Sequence, residues 1–290
     1  MNYDVVIVGS GVAGLTAAIY AARAGKSAII LENSIIGGTT ATLESIENYP
    51  GFVGKSGADL INIMIGQVMQ LSVPIEMQNI DHIDYDNKTI IFTDGQKCGY
   101  KALILSTGTS YIPLNVKGEE RLKFRGISYC ATCDGRLYKD KKIVVVTNGA
   151  KGADSIDYLN NLASELIVLD ITNLYKNDKL TVYNNVSVLE VIGTDYVEGI
   201  EFVSDNKNMS LDCAAVFVCL GKNSDTRLFD GKITLNNNKV ITDDSMRTNI
   251  ESVFAAGDIR DKNLRQIITA CADGAIAATE AVKYISSIEK

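Results

Sequence analysis

The chain of 290 residues has no tryptophan, a single histidine (His82), and only 7% aromatic residues. Structural zinc sites draw on clustered Cys and His, yet only Cys130 and Cys133 lie close together and no second C-x-x-C exists. A metal centre is therefore not expected. His82 lies in the charged stretch DHIDYD and reads as a solvated residue rather than a catalytic base. No apolar run approaches the roughly 20 residues that a membrane span needs. Basic excess is also lacking: the formal net charge is −7, which argues against nucleic acid or an anionic membrane as the main partner. The first strand-like run starts at Val5 and leaves no room for a signal peptide, so a cytoplasmic location is expected. Low-complexity segments and Pro/Gly-rich linkers are missing too.

Apolar residues make up 46% of the chain, and its length suits two domains. The stretch VVIVGSGVAG, Val5 to Gly14, is a buried-strand run followed by glycines 9, 11 and 14 in the spacing G-x-G-x-x-G. An Ala-rich helical segment, Leu15 to Ala24, comes next, and a second strand run, SAIILE, ends at Glu32. Strand, turn, helix, strand and acid arrive in the order of a dinucleotide-binding unit. In such a unit Gly9 permits the tight turn, Gly11 lets pyrophosphate approach the backbone and Gly14 lets helix and strand pack closely. Glu32, 18 residues past Gly14, would hold ribose hydroxyls.

The plan recurs. In VVVTNGAKGAD, Val144 to Asp154, Thr147 falls where Gly9 does, Gly149 where Gly11 does and Gly152 where Gly14 does. A helical segment through Leu159 and a strand, Leu166 to Leu169, lead to Asp170, again 18 residues past the last glycine. A β-branched Thr is poorly suited to the turn that glycine allows. Apolar runs ending at Gly108, Gly221 and Asp258 complete the pattern. The expected fold is α/β: two nested Rossmann-like, doubly wound, three-layer nucleotide-binding domains, with 114–242 inserted into a domain made of 1–113 and 243–290.

Among the six cysteines, Cys98, Cys213, Cys219 and Cys271 sit in apolar or mixed runs and read as inert packing residues. In an α/β protein, the C-x-x-C of Cys130 and Cys133 reads first as a redox pair and second as half of a zinc site. With YCATCDG at Tyr129 to Gly135, GSGVAG, Gly37-Gly38, ENYPG at Glu47 to Gly51, STG at Ser106 to Gly108, and AAGD followed by RQIITA, nearly the whole chain resembles the low-molecular-weight thioredoxin reductases. That resemblance implies FAD on the first domain, a nicotinamide site and the redox disulfide on the second, and a homodimer. Cys133 would face the flavin, Cys130 would attack the thioredoxin disulfide, and Asp134 would be the general acid and base. The lesser reading of Asp134 is that of a turn residue before Gly135. Flavin contacts implied are Gly9, Gly11, Gly14, Glu32, Gly38, Asn48, Gly108, Asp258 and Gln266.

The sequence departs from that family at its nicotinamide signature. The glycine loop, usually G-G-G-[DN]-S-A, reads Thr147-Asn148-Gly149-Ala150-Lys151-Gly152, and the basic H-R-R run is replaced by Asp170-Ile171-Thr172. A carboxylate where a 2′-phosphate should sit is repulsive, and no guanidinium compensates. These departures resemble the pyridine-nucleotide-independent branch, the ferredoxin-dependent flavin thioredoxin reductases. A donor near about −400 mV and thioredoxin near about −270 mV leave roughly 6 kcal/mol for two electrons. Ferredoxin is then the expected donor; it would need a local basic patch, with Lys139, Lys141 and Lys142 or Arg260, Lys262 and Arg265 as the candidates, although such charge runs read first as solvated faces. Other readings stay open: an NADH-dependent reductase in which Asp170 holds a free 2′-hydroxyl, a flavin-dependent dithiol oxidase, and a non-catalytic redox sensor. After CATCDG the family shows a pair of aromatics where this chain has Arg136 and Leu137.

Overall fold

A computed structural model describes residues 1–149, 152–224, 226–229 and 231–290. The chain divides into two compact units, Met1–Ser110 with Asn223–Lys290, and Tyr111–Lys222. In chain order the first unit begins with β1 (Asn2–Val8), α1 (Val12–Arg23), β2 (Ala28–Glu32), α2 (Gly38–Ala41) and α3 (Gly57–Gln70). It continues with β3 (Ile75–Met77), β4 (Ile80–Asp84), β5 (Thr89–Phe92) and β6 (Lys97–Leu105). After β7 (Ser110–Tyr111) come α4 (Glu119–Leu122), β8 (Ile127–Ser128), α5 (Ala131–Asp134), β9 (Lys142–Thr147), α6 (Ala153–Asn160) and β10 (Glu165–Asp170). The strands β11 (Thr181–Asn184), β12 (Ser187–Ile192), β13 (Gly199–Ser204), β14 (Lys207–Asp212), β15 (Ala215–Cys219) and β16 (Lys222–Asn223) follow. The chain closes with β17 (Leu235–Asn236), β18 (Lys239–Val240), β19 (Val253–Ala255) and α7 (Ile267–Ile288).

In the first unit β3, β2, β1 and β6 lie side by side in parallel, with β19 parallel to the far end of β6. At the near end β6 pairs antiparallel with β5, and β5 with β4. Val5, Val6, Ile7 and Val8 are all buried, because a parallel strand covered on both faces must be apolar on both. One face packs against α1, α3 and α7 through Leu15, Ala18, Met64, Val68, Ala277 and Ala281. Alanine on α1 and α7 lets those helices approach closely. The capping box of Ser56 and Asp59 fixes where α3 begins.

The second unit repeats this plan. Its sheet runs β11, β10, β9, β15, β8, all parallel. Val144 and Val146 point to a core with Val216 and Phe202, while Val145 and Phe217 pack with Ile156 of α6 on the other side. A separate antiparallel sheet, β12–β13–β14, closes the first of these cores.

The inserted unit ends earlier than the sequence suggests. Residues 223–242 belong with the first unit, because Phe229, Ile233 and Val240 are buried there among Ile83, Ile90 and Phe92. Residues 171–180, all described, form no helix between β10 and β11.

Candidate active site

The first glycine turn joins β1 to α1. Gly9 has φ +104°, and a Cβ there would lie 2.4 Å from the carbonyl oxygen of Ser106. At Gly14 a Cβ would lie 2.0 Å from the carbonyl oxygen of Gly9, so glycine is what lets α1 start against its own turn. Gly11 differs from both, since a Cβ on it would meet no described atom within 4 Å. The second glycine therefore leaves room at the N-terminus of the 12-residue α1, whose first amides have no acceptor within the helix. That combination suits a phosphate.

Of the other residues nominated by the sequence, Gly38 and Glu32 lie against this turn. Gly38, in the left-handed region with φ +55°, starts α2, and a Cβ there would come 3.8 Å from the Cα of Gly11. Glu32, ending β2, accepts hydrogen bonds from the Ser10 amide (2.9 Å) and hydroxyl (2.6 Å) and from the amides of Asn33 and Ser34 (both 2.9 Å). Its orientation is thus fixed, and a ribose hydroxyl would have to displace one of these donors. Asn48 donates through Nδ2 to Oε1 of Gln266 at 3.0 Å, which joins the ENYPG loop to the residue that caps α7. Gly108, with φ +66°, also faces space with no described atom within 4 Å of a Cβ. Beside it the buried Thr107 Oγ1 has no hydrogen-bond partner among the described residues.

Asp258 lies half-buried in the turn Gly257–Ile259 that follows β19. Buried Asp273 on α7 holds that turn, accepting from the Gly257 amide at 3.0 Å, Arg260 Nη1 at 2.9 Å and Lys262 Nζ at 2.7 Å. Arg260 and Lys262 are consumed internally, so this basic cluster does not form the docking patch that the sequence suggests. Lys142 pairs with Glu165 at 3.2 Å.

The disulfide lies wholly in the second unit. Cys130 precedes α5, and its Sγ is bonded to that of Cys133, both residues being half-buried. The hydroxyl of Ser128, the last residue of β8, donates to Asp134 Oδ2 at 2.6 Å and accepts from the Cys130 amide at 3.1 Å. Glu119, also buried, accepts from the amides of Leu114 (2.8 Å) and Asn115 (2.6 Å) and from the Tyr129 hydroxyl (2.7 Å). Tyr129 stacks on Tyr111 with ring centroids 5.3 Å apart, and burial with the Glu119 carboxylate pushes its phenol well above the usual range. Ser128, Glu119 and Thr107 escape a motif search because Ser, Thr and Glu are common residues whose partners are set by the fold. Arg136 and Leu137 beyond the motif are exposed.

The remaining cysteines are buried thiols. Burial pushes Cys213 up to about 12 and Cys219 up to about 11, which leaves them without the thiolate that disulfide exchange needs. His82 pairs with Asp81 on the exposed face of β4.

The second glycine turn holds the same place between strand and helix but differs in backbone: the positive φ falls at Gly149, not at Thr147, whereas in the first turn it falls at Gly9 and not at Gly11. Thr147, fully buried, donates through Oγ1 to the carbonyl of Gly149 at 3.1 Å. A Cβ on Gly149 would lie 2.7 Å from the Cβ of Leu174. The side chain of Leu174 therefore covers the position at which Gly11 leaves open space. Asp170 folds that cover in place, accepting from the Thr172 amide and hydroxyl and from the amides of Leu174 and Tyr175 at 2.7 to 3.0 Å. Burial would push its carboxyl up, but these hydrogen bonds outweigh it and hold it below the ordinary value. Ala150 and Lys151 of this loop lie outside the described residues.

Two nested α/β units with parallel sheets, one offering a phosphate turn and the other a half-buried C-x-x-C disulfide, define a nucleotide-dependent disulfide oxidoreductase. Residues 3–274 match the pyridine nucleotide-disulphide oxidoreductase family, and the chain belongs to it. It is 37% identical over 308 residues to a thioredoxin reductase of Peptoclostridium acidaminophilum, with 98% of each chain covered. The structure of thioredoxin reductase from Streptococcus pyogenes superimposes with a TM-score of 0.93 at 34% identity, covering 99% of both chains. A ferredoxin-flavin thioredoxin reductase from Clostridium acetobutylicum is a more distant match, at 27% identity and a TM-score of 0.57, over 100% of this chain and 99% of that one.

The expectation of a pyridine-nucleotide-independent, ferredoxin-dependent branch is thereby corrected. The substitutions at Thr147 and at 170–172 are local changes on a scaffold whose whole length follows other thioredoxin reductases. The family implies a flavin, and the first unit fits one: Gly11 and Gly108 leave room, the first α1 amides have no acceptor within the helix, and the buried Thr107 Oγ1 has no partner among the described residues. The turn at Gly149, covered by Leu174, does not fit a pyrophosphate as it is folded. Among the described residues no helix is long and apolar enough to cross a membrane.

Proposed function

We propose that the chain reduces thioredoxin, using FAD on the first unit and the Cys130–Cys133 pair on the second. The observation that carries this reading is the half-buried Cys130–Cys133 disulfide, with Asp134 next in sequence to Cys133 and its carboxyl accepting from Ser128. Bound FAD supplies the two electrons that open the disulfide. Once reduced, Cys130 attacks one sulfur of the thioredoxin disulfide as its thiolate, forming a mixed disulfide while the other thioredoxin sulfur leaves. Asp134 gives that leaving sulfur a proton. Cys133 then attacks Cys130 Sγ, which restores the internal disulfide and releases the second thioredoxin thiol. Gly9, Gly11, Gly14, Glu32, Gly38, Asn48, Gly108, Asp258 and Gln266 are the residues we assign to FAD.

For the electron donor, the family favours a pyridine nucleotide. Asp170, Ile171 and Thr172 offer no cation for a 2′-phosphate, so NADH is favoured over NADPH. Either nucleotide requires Leu174 to leave Gly149. Four buried free thiols suit a reducing compartment such as the cytoplasm. A groove on α1 and α7 lined by Tyr20, Ala275, Ile276, Thr279 and Glu280, the last paired with Arg247, is the face we assign to a second copy of the chain.

The test is anaerobic mixing of the FAD-loaded protein with NADH or NADPH, followed by oxidised thioredoxin, with flavin absorbance as the readout. Bleaching by NADH and recovery on adding thioredoxin are expected, and Cys133→Ser should keep FAD yet lose the recovery. Recovery in Cys133→Ser would sink the assignment of the pair.

A further inference from the structure

We propose that Ser128 is the positioning residue for proton transfer at the disulfide, a hydroxyl rotor that accommodates both protonation states of Asp134. The proposal rests on the thioredoxin-reductase reading above. Ser128 is 2% exposed, and its backbone is fixed by the pairing of β8 with β15, where it lies opposite Phe217. Its side chain thus has no solvent to turn to and one small set of partners.

Among the described residues those partners number three. The Cys130 amide donates to Ser128 Oγ at 3.1 Å, the Asp134 Oδ2 lies 2.6 Å away, and the Cys130 carbonyl oxygen lies 3.4 Å away. A hydroxyl carries one hydrogen and two lone pairs. The amide takes one lone pair permanently, so the single hydrogen must choose between the carboxylate and the carbonyl. With Asp134 ionised, the hydrogen points to Oδ2, where a charge-assisted bond is strongest. With Asp134 protonated on Oδ2, the carboxyl becomes the donor to Ser128 Oγ, and the serine hydrogen turns to the Cys130 carbonyl. No heavy atom moves between the two states.

The chemical step balances. A carboxyl proton passes from Asp134 to the sulfur that leaves the acceptor disulfide, which turns carboxyl and thiolate into carboxylate and thiol. The serine hydrogen rotates and is never transferred. Because the same hydroxyl holds the amide of Cys130, the acid is kept in register with the attacking cysteine throughout.

The experiment separates this claim from the function beneath it by dispensing with the natural electron donor. FAD-loaded protein is reduced anaerobically with dithionite, mixed with oxidised thioredoxin, and followed through one turnover by flavin absorbance from acid to alkaline pH. Wild type, Ser128→Ala, Asp134→Asn and the double variant are compared. Ser128→Ala should slow exchange by about tenfold. The alkaline limb of its profile should move up by roughly half a pH unit, because a carboxylate that has lost a donor keeps its proton longer. The double variant should be no slower than Asp134→Asn, as two residues acting through one proton must couple. A wild-type rate and profile in Ser128→Ala, or losses that multiply in the double variant, would overturn the rotor while leaving the reductase intact. Wild-type rates in both Asp134→Asn and Cys130→Ser would overturn the reductase reading itself.

Discussion

Three glycines of one turn separate binding from folding at single residues. A methyl on Gly11 would enter space that no described atom fills, whereas one on Gly14 would press 2.0 Å from the carbonyl oxygen of Gly9. Gly11→Ala should therefore leave the apoprotein's thermal midpoint in place and weaken FAD at least tenfold, or about 1.4 kcal/mol, in a fluorescence titration. Gly14→Ala should destabilise the apoprotein by about 1–3 kcal/mol, since backbone cannot move aside as a side chain can. Equal loss of FAD and of stability in both variants would refute the division. The spacing of these glycines was legible because Gly9 and Gly14 answer close backbone approaches that a Cβ would block, while Gly11 leaves space open at the start of α1. Thr107 and Ser128 were not legible: a hydroxyl's role depends on which atoms the fold brings within 3 Å, and nothing in a sequence marks that.

The repeated unit of strand, turn, helix and strand was readable at the scale of elements, down to the carboxylate that ends the second strand of each. Glu32 and Asp170 do the same local work, each tying down the loop that follows it. What the pattern could not reveal is that the second loop lies back on its own glycine turn. Leu174 holds that place while remaining largely exposed at 73%, so little apolar burial is lost when it leaves. Leu174→Ala should then quicken flavin bleaching by NADH several-fold, with no change in the dithionite-driven turnover. An unchanged NADH rate would mean that the nucleotide does not use this turn. The Asp170 carboxylate, held below its ordinary value by those amides, contributes its stabilisation at all pH above the unfolded value near about 4. That contribution is lost only as pH falls through the lower folded value, so acid and not alkali should release the segment. The boundary near residue 243 misled for a related reason: 223–242 carries no strong periodicity, and only packing of Phe229, Ile233 and Val240 assigns it to the first unit.

For the whole molecule, a local motif and a global resemblance pointed in different directions, and the global one prevailed. Loss of a basic run changes what a loop attracts but removes little from a core built of buried Val, Ile and Leu, so the scaffold persists while the site drifts. The same reasoning applies to assembly. Net charge of −7 opposes association of like chains at low salt, so a dimer must be held by an apolar face. On the first unit, Tyr20 is 49% and Ile276 39% exposed beside Ala275, and the alanines that let α1 and α7 pack so closely leave this stripe uncovered. Sedimentation of the wild type should give twice the chain mass of 31.3 kDa, with self-association strengthening as salt screens the charge. Ile276→Glu should sediment as the single chain and still bind FAD, because the charge enters the face of α7 away from the glycine turn. A wild type that sediments at the mass of one chain, or a dimer that tolerates the glutamate, would place the contact elsewhere or remove it.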